Sequence, residues 1–225
     1  MESIFEIQCI SVTLLYSNKG GISDRIDSIL QPILSGHGTT VNNLSGFVQS
    51  RIMTILVLTG APGIGKTTAV IHAARTLKDR GLDVGGIVSK ELRINNMRVG
   101  FEFIDLITND TNVLASITGN GPKIGKYFVS LEGCRFAAER LNRAIKSCDV
   151  IVCDEIGPME LKSIEFINSA KNLLEIDKKI IVVVHQMLRH PLVEQFKNKS
   201  SLLINIDLEN REKVIEILLH GLVAE

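Results

Sequence analysis

Gly60-Ala61-Pro62-Gly63-Ile64-Gly65-Lys66-Thr67 has the residue types and spacing of a phosphate loop, G-x-x-x-x-G-K-[ST]. Glycines at these places let backbone N–H groups turn inward around an anion, the Lys66 ammonium reaches the β- and γ-phosphates, and the Thr67 hydroxyl is a ligand for Mg²⁺. A helix expected to begin near Gly65 points its unpaired N–H groups and positive dipole end at the same anion. The chemistry this calls for is the binding of a nucleoside triphosphate with Mg²⁺ by the segment Gly60 to Thr68.

A second cluster lies about 90 residues further on. Val150-Ile151-Val152-Cys153-Asp154-Glu155 is an apolar run closed by two acids, the Walker-B arrangement. The first carboxylate, Asp154, is expected to support the Mg²⁺ shell together with Thr67. The second, Glu155, stands where a carboxylate can polarise a water for in-line attack on the γ-phosphate, as a general base or water-positioning group. Two acids that merely end a strand and face solvent are the plain alternative, and a complete phosphate loop upstream argues against it. Asp154-Glu155-Ile156-Gly157 also fits the D-x-x-G pattern of GTPases, but no N-K-x-D follows to read guanine, so no guanine preference is expected.

These groups need a scaffold, and the hydrophobic pattern supplies one. The phosphate loop follows the strand Ile55–Thr59 and opens a helix over Lys66–Arg80. Further strands are expected at Val84–Ser89, Val150–Cys153, Ile180–Val184 and Leu202–Ile206, and helices at Leu131–Ser147, Ser163–Leu174, Leu192–Lys197 and Asn210–Leu222. A Gly- and Asn-punctuated β-rich stretch, residues 91 to 129, interrupts the alternation. The order predicts an α/β fold with a mainly parallel sheet, helices on both faces and a β-rich insert. Apolar runs such as Ile180-Ile181-Val182-Val183-Val184 suit strands buried on both sides, with the ligand at their C-terminal ends.

Residues 1–52 mix short apolar runs with Ser, Gly and Asn and carry none of this chemistry, so the chain reads as a poorly defined N-terminal extension followed by a P-loop domain over 53–225. Met53 stands where such a domain naturally starts. The upstream part is an optional extension, a misassigned start, or a real but loosely packed segment whose apolar stretch, Ile4 to Leu15, forms a strand or helix.

The chain has 25 basic and 25 acidic residues, with no charge surplus to attract a nucleic acid or a membrane surface. Eight Phe, two Tyr and no Trp leave no basic patch interleaved with aromatics, which disfavours nucleic acid as a partner. No apolar stretch reaches the roughly 18 residues that span a bilayer, and acidic Glu2 and Glu6 replace the basic start of a secretory signal. Cys9, Cys134, Cys148 and Cys153 form no C-x-x-C pair and have no His at metal-ligand spacing, which suits reduced thiols in a cytoplasmic protein.

At this point the chain resembles the thermophile-type P-loop nucleoside-triphosphatase family, the family of the cancer-related nucleoside-triphosphatase. The resemblance covers about residues 53 to 222 and rests on Leu58 through Thr68, Glu91-Leu92-Arg93, Arg98-Val99-Gly100-Phe101 and Gly125-Lys126-Tyr127. Its most specific element is Asp154-Glu155-Ile156-Gly157-Pro158-Met159-Glu160-Leu161. It implies a RecA-like P-loop fold that cleaves nucleoside triphosphates to diphosphate and phosphate with Mg²⁺, slowly and with loose base selectivity. Since some members are described as nucleotide kinases, a hydroxyl acceptor stays open beside water, as does a nucleotide-controlled binding module acting on an unidentified protein client. The segment His185 to Pro191 departs from the family in length and charge.

Charge developing on the γ-phosphoryl group calls for a cation beyond Lys66, and Arg93, Arg98, Lys126 and Arg189 are the candidates. Arg93 and Arg98 flank Ile94-Asn95-Asn96-Met97, which reads as a hairpin turn. For each cation, a solvated surface charge is the competing reading. His185 ends an apolar strand and is either a γ-phosphate sensor or a side chain satisfying a carbonyl. His72 reads as structural. Glu160 either orients a helix start or contacts ribose, magnesium or water.

Overall fold

The computed structural model describes residues 53–223. The expectations for residues 1–52, Cys9 and the Ile4–Leu15 segment included, lie outside the described residues.

Among the described residues, nine strands form one sheet: β1 Thr54–Gly60, β2 Val84–Ile94, β3 Met97–Asp105, β4 Thr111–Ser116, β5 Lys123–Ile124, β6 Tyr127–Val129, β7 Val150–Ile156, β8 Lys179–Val184 and β9 Leu202–Ile206. Their spatial order is β5-β6-β4-β3-β2-β7-β8-β1-β9. The strands from β2 to β9 run parallel, and the outer part of β2 forms an antiparallel wing with β3, β4, β6 and β5. The β-rich insert is thus no separate layer. Strand β2 runs on to Ile94, pairing with β7 over Val84–Ile87 and with β3 over Ile87–Ile94. The hairpin expected at residues 94–97 is present, with Asn95 and Asn96 at φ 46° and 63°, the conformation of a two-residue turn matched to strand twist.

The helices are α1 Lys66–Asp79, α2 Leu131–Ser147, α3 Ile164–Asn172, α4 Pro191–Lys199 and α5 Val214–Val223. Alternation along the buried strands splits the core. Ile55, Val57, Ile151, Cys153, Ile180 and Val182 face α2, α3 and α4, whereas Leu56, Leu58, Val150, Val152, Ile181 and Val183 face α1 and α5. The last helix starts at Val214 rather than Asn210. Asp207 Oδ1 accepts the Glu209 and Asn210 N–H groups, and Asn210 Nδ2 donates to the Asn205 carbonyl, which closes the chain into a turn first. Strand β7 continues past Cys153 to Ile156, so the acid pair sits within its last turn of pleat rather than beyond it.

Candidate active site

The strand register brings the two sequence clusters together. Leu58 of β1 and Asp154 of β7 both pair with Val183 of β8, so β8 separates the strand that feeds the phosphate loop from the strand that carries the acids. The residues just beyond this row are Thr59, Glu155 and, after β8, His185. All lie at the C-terminal edge of the parallel strands, where an open α/β sheet holds its ligand.

Glycines shape the loop that leaves β1. Gly63 and Gly65 have φ of 76° and 111°, and a Cβ on Gly60 would lie 2.5 Å from the Ile206 carbonyl oxygen of β9. Lys66 Nζ donates to the carbonyls of Gly60 and Ala61 at 2.9 and 3.1 Å, which folds the ammonium over the loop with only 9% of the residue exposed. No side chain caps α1, and no acid lies in its first turn. By contrast, α2, α3 and α4 are capped by Ser130, Ser163 and His190, with Glu132, Glu165 and Glu194 in their first turns. Of these four N-termini, the one without a side-chain acceptor meets the phosphate loop.

Asp154 is fully buried, and neither carboxylate oxygen has a hydrogen-bond partner. Burial pushes its pKa up to about 7, with the Glu155 charge adding to the rise. The Thr67 hydroxyl, the Lys66 charge and the Ser89 backbone lie close enough to hold it down in part, although no hydrogen bond closes. Thr59 Oγ1 and His185 Nδ1 are also buried without partners. Unpaired buried polar atoms are costly and rare, and these sit at the ends of three adjacent strands, β1, β7 and β8. The arrangement fits Mg²⁺, which takes one or two carboxylates plus phosphate oxygens and water rather than an all-protein cage. Consistently, no group of three or more His, Cys, Asp or Glu residues among the described residues makes a cage.

Glu155 is half-buried beside Asp154, their peptide bond is cis, and the β7–β8 register shifts between Asp154 and Ile156. Glu160, the first residue of a 3₁₀ turn over Glu160–Lys162, is only 4% exposed and accepts the Gly157 N–H at 3.1 Å. Burial, helped by the charges of Glu155 and Asp154, pushes its pKa up to about 8.

Arg93, Arg98 and Lys126 gather around the β2–β3 hairpin and Tyr127. Glu91 accepts from Arg93 at 2.6 Å and Arg98 at 2.7 Å, Arg98 Nε donates to the Tyr127 hydroxyl at 3.0 Å, and Lys126 Nζ lies 5.3 Å from the Tyr127 ring centre. All these partners belong to β2, β3 and β6 of the wing, so Arg93 and Arg98 would have to abandon Glu91 to reach a phosphate. Arg189 is different. It is exposed in the loop after His185 and has no ion pair among the described residues. Thr59 was not singled out from sequence as a site residue. The signal for it is a hydroxyl at the end of an apolar strand, one residue before Gly60. Cys134, Cys148 and Cys153 are free and buried. No helix among the described residues is long and apolar enough to cross a membrane.

The family model described as NTPase matches residues 55–219. The nucleoside-triphosphatase THEP1 of Methanosarcina barkeri is 41% identical over 158 residues, 70% of this chain and 90% of the relative. That of Methanopyrus kandleri is 38% identical over 166 residues, 73% of this chain and 92% of the relative. The crystal structure of THEP1 from the hyperthermophile Aquifex aeolicus aligns with a TM-score of 0.66 at 26% identity, covering 76% of this chain and 99% of that one. The solution structure of a human cancer-related nucleoside triphosphatase gives a TM-score of 0.66 at 28% identity, covering 76% and 98%.

Proposed function

The chain belongs to the NTPase family matched over residues 55–219, and from that premise we propose that it hydrolyses nucleoside 5′-triphosphates to diphosphate and phosphate at the C-terminal edge of the parallel strands. The observation that carries the reading is the set of unpartnered buried groups, Thr59 Oγ1, the Asp154 carboxylate and His185 Nδ1, set beside a phosphate loop whose helix has no cap of its own. The name nucleoside-triphosphatase carried by the relatives favours water over a hydroxyl acceptor.

In this proposal the backbone of Gly60 through Thr68 binds the triphosphate. Lys66 exchanges the carbonyls of Gly60 and Ala61 for β- and γ-phosphate oxygens. Thr67 and Asp154 would hold Mg²⁺, whose charge offsets that of the phosphate oxygens. Glu155 orients a water in line with the γ-phosphorus and accepts its proton as the water oxygen bonds to phosphorus and the bond to the β-phosphate oxygen breaks. His185, at the end of the strand between phosphate loop and acids, donates to or accepts from the γ-phosphate region. Of the four candidate cations, Arg189 is the one with neither an ion pair nor a side-chain hydrogen bond among the described residues. The active domain begins at Met53, and a cytoplasmic setting suits its reduced thiols.

The test is phosphate release from ATP, GTP, CTP and UTP with Mg²⁺, wild type against Glu155→Gln. Release from several triphosphates is expected. The variant should lose about 10²-fold or more in turnover, the scale of a general base, while binding nucleotide as before. Unchanged turnover would remove Glu155 from its role, and binding without release by the wild type would point to a missing acceptor.

A further inference from the structure

Strand β7 leaves the active site through Gly157, and the turn there is held from several sides. Gly157 N–H donates to Glu160 Oε2 at 3.1 Å, Leu161 N–H returns to the Gly157 carbonyl at 3.2 Å, and Ser163 N–H donates to the Glu160 carbonyl at 3.2 Å. One residue upstream, the Ile156 carbonyl accepts His185 N–H at 3.2 Å, which ties the turn to the end of β8. A Cβ on Gly157 would lie 2.8 Å from Glu160 Oε2 and 3.0 Å from Glu155 Oε1. The two carboxyl groups therefore converge on one Cα, and the glycine leaves the space in which both fit.

We propose that Glu160 is a positioning residue for Glu155. By closing the turn on the Gly157 N–H, it fixes the backbone that carries Glu155 and limits the directions in which that carboxylate can point. The inference rests on the reading of Glu155 as the group that orients water. Geometry of this kind matters because misplacing a catalytic group by about 1 Å can cost about 10²-fold in rate. Burial and the nearby Glu155 charge favour a protonated Glu160 at neutral pH, so Gln is close to an isostere that keeps the acceptor for Gly157.

A residue that only stabilises the fold would damage the enzyme whatever stands at position 155, whereas one acting through Glu155 would not. The experiment measures kcat, KM and nucleotide Kd of the full chain as wild type, E160A, E160Q, E155Q and E155Q/E160A, with excess-enzyme phosphate release for the slow variants. E160A is expected to lower kcat about 10-fold or more with KM and Kd within about 2-fold, and E160Q to restore kcat to within about 3-fold of wild type. In the E155Q background, E160A should cost nothing further. Equal losses from E160A in both backgrounds, an unchanged kcat in E160A, or E160Q as damaging as E160A would overturn the proposal. If E155Q keeps wild-type turnover, the reading of Glu155 falls and this proposal with it, an outcome distinct from additivity. Should E160A fail to fold, G157A, which crowds both carboxylates without deleting either, completes the same cycle with E155Q, and the same outcomes decide.

Discussion

Asp154 in the parallel half and Asp105 in the antiparallel wing are both fully buried, yet their surroundings are opposite. Asp105 Oδ1 accepts the Ile107 N–H at 3.0 Å, and Oδ2 accepts the Thr108 hydroxyl at 2.7 Å and the Arg143 guanidinium, with Arg140 Nε 3.2 Å away. Burial alone would raise the pKa of Asp105, but the Ile107 N–H, Thr108 and Arg143 together hold it below the ordinary range. Glu91, in the same wing, is lowered by Arg98 and then Arg93. Asp154 has no such partners and is pushed up. Burial alone does not separate the two carboxylates; the absence of protein partners does, and on the proposed reading the ligand would supply them. The wing's own orphans, Nε of Arg140 and Nε of Arg143, belong to guanidinium groups already paired with Asp105.

This contrast predicts that damage to the site costs rate and damage to the wing costs stability. The largest effect is expected from Asp154→Asn. On the proposed reading, losing the carboxylate should forfeit several kcal/mol of metal-borne charge stabilisation, about 10²-fold or more in turnover, while thermal unfolding of the nucleotide-free protein should not fall below wild type. Next comes Asp105→Ala. It strands Arg143 and Arg140 beside an apolar side chain and should cost about 3–5 kcal/mol in denaturant unfolding, with kcat per folded molecule unchanged. A wild-type stability for Asp105→Ala, or a lost kcat, would break the comparison.

The candidate site is more legible in the sequence than the scaffold that unites it. Phosphate-loop chemistry is local, so Gly60 to Thr67 declare it, and an apolar run closed by Asp154 and Glu155 declares the acids. The insertion of β8 between β1 and β7, which places His185 between loop and acids, is a long-range fact that periodicity does not encode. The junction of the wing is hidden for a related reason: a buried run such as Val84–Val88 reads alike whether its neighbour is parallel, as β7 is to β2, or antiparallel, as β3 is. Arg93 and Arg98 illustrate a signal passed over. A two-residue turn at Asn95-Asn96 sets these like charges opposite each other, an arrangement that needs a carboxylate nearby, and Glu91 on the same strand provides it. The reach of Arg143 to Asp105, across 38 residues of chain, has no sequence signature.

The arginines sharpen the comparison at a smaller scale. If free cations serve the site and paired ones the wing, Arg189→Ala should lower kcat by about 10-fold or more, on the way to what a transition-state arginine contributes. Arg93→Ala and Arg98→Ala, which break exposed pairs, should change it by less than about 2-fold, and their stabilities by less than about 1 kcal/mol. Steady-state turnover of the three variants ranks them, and the reverse order would move the catalytic cation to the hairpin.

The two halves should also differ in pH dependence, titrating with opposite sign. Glu160 rises from an ordinary 4.5 to about 8 on folding, so the folded state binds its proton more tightly than the unfolded chain. Its contribution to stability is complete below 4.5 and is lost as pH climbs through about 8. Glu91 and Asp105 are lowered, so their contributions are present above their ordinary values of 4.5 and 3.8 and are lost as pH falls through the folded values. Alkali thus weakens the site and acid weakens the wing. Melting temperatures of the nucleotide-free protein from about pH 4 to about pH 9 should fall at both ends, and E160Q should make the alkaline limb shallower without abolishing it, because Asp154, also raised on folding, keeps its share, while the acid limb stays unchanged. An alkaline limb as steep in E160Q as in wild type would mean that Glu160 does not hold its proton at the turn.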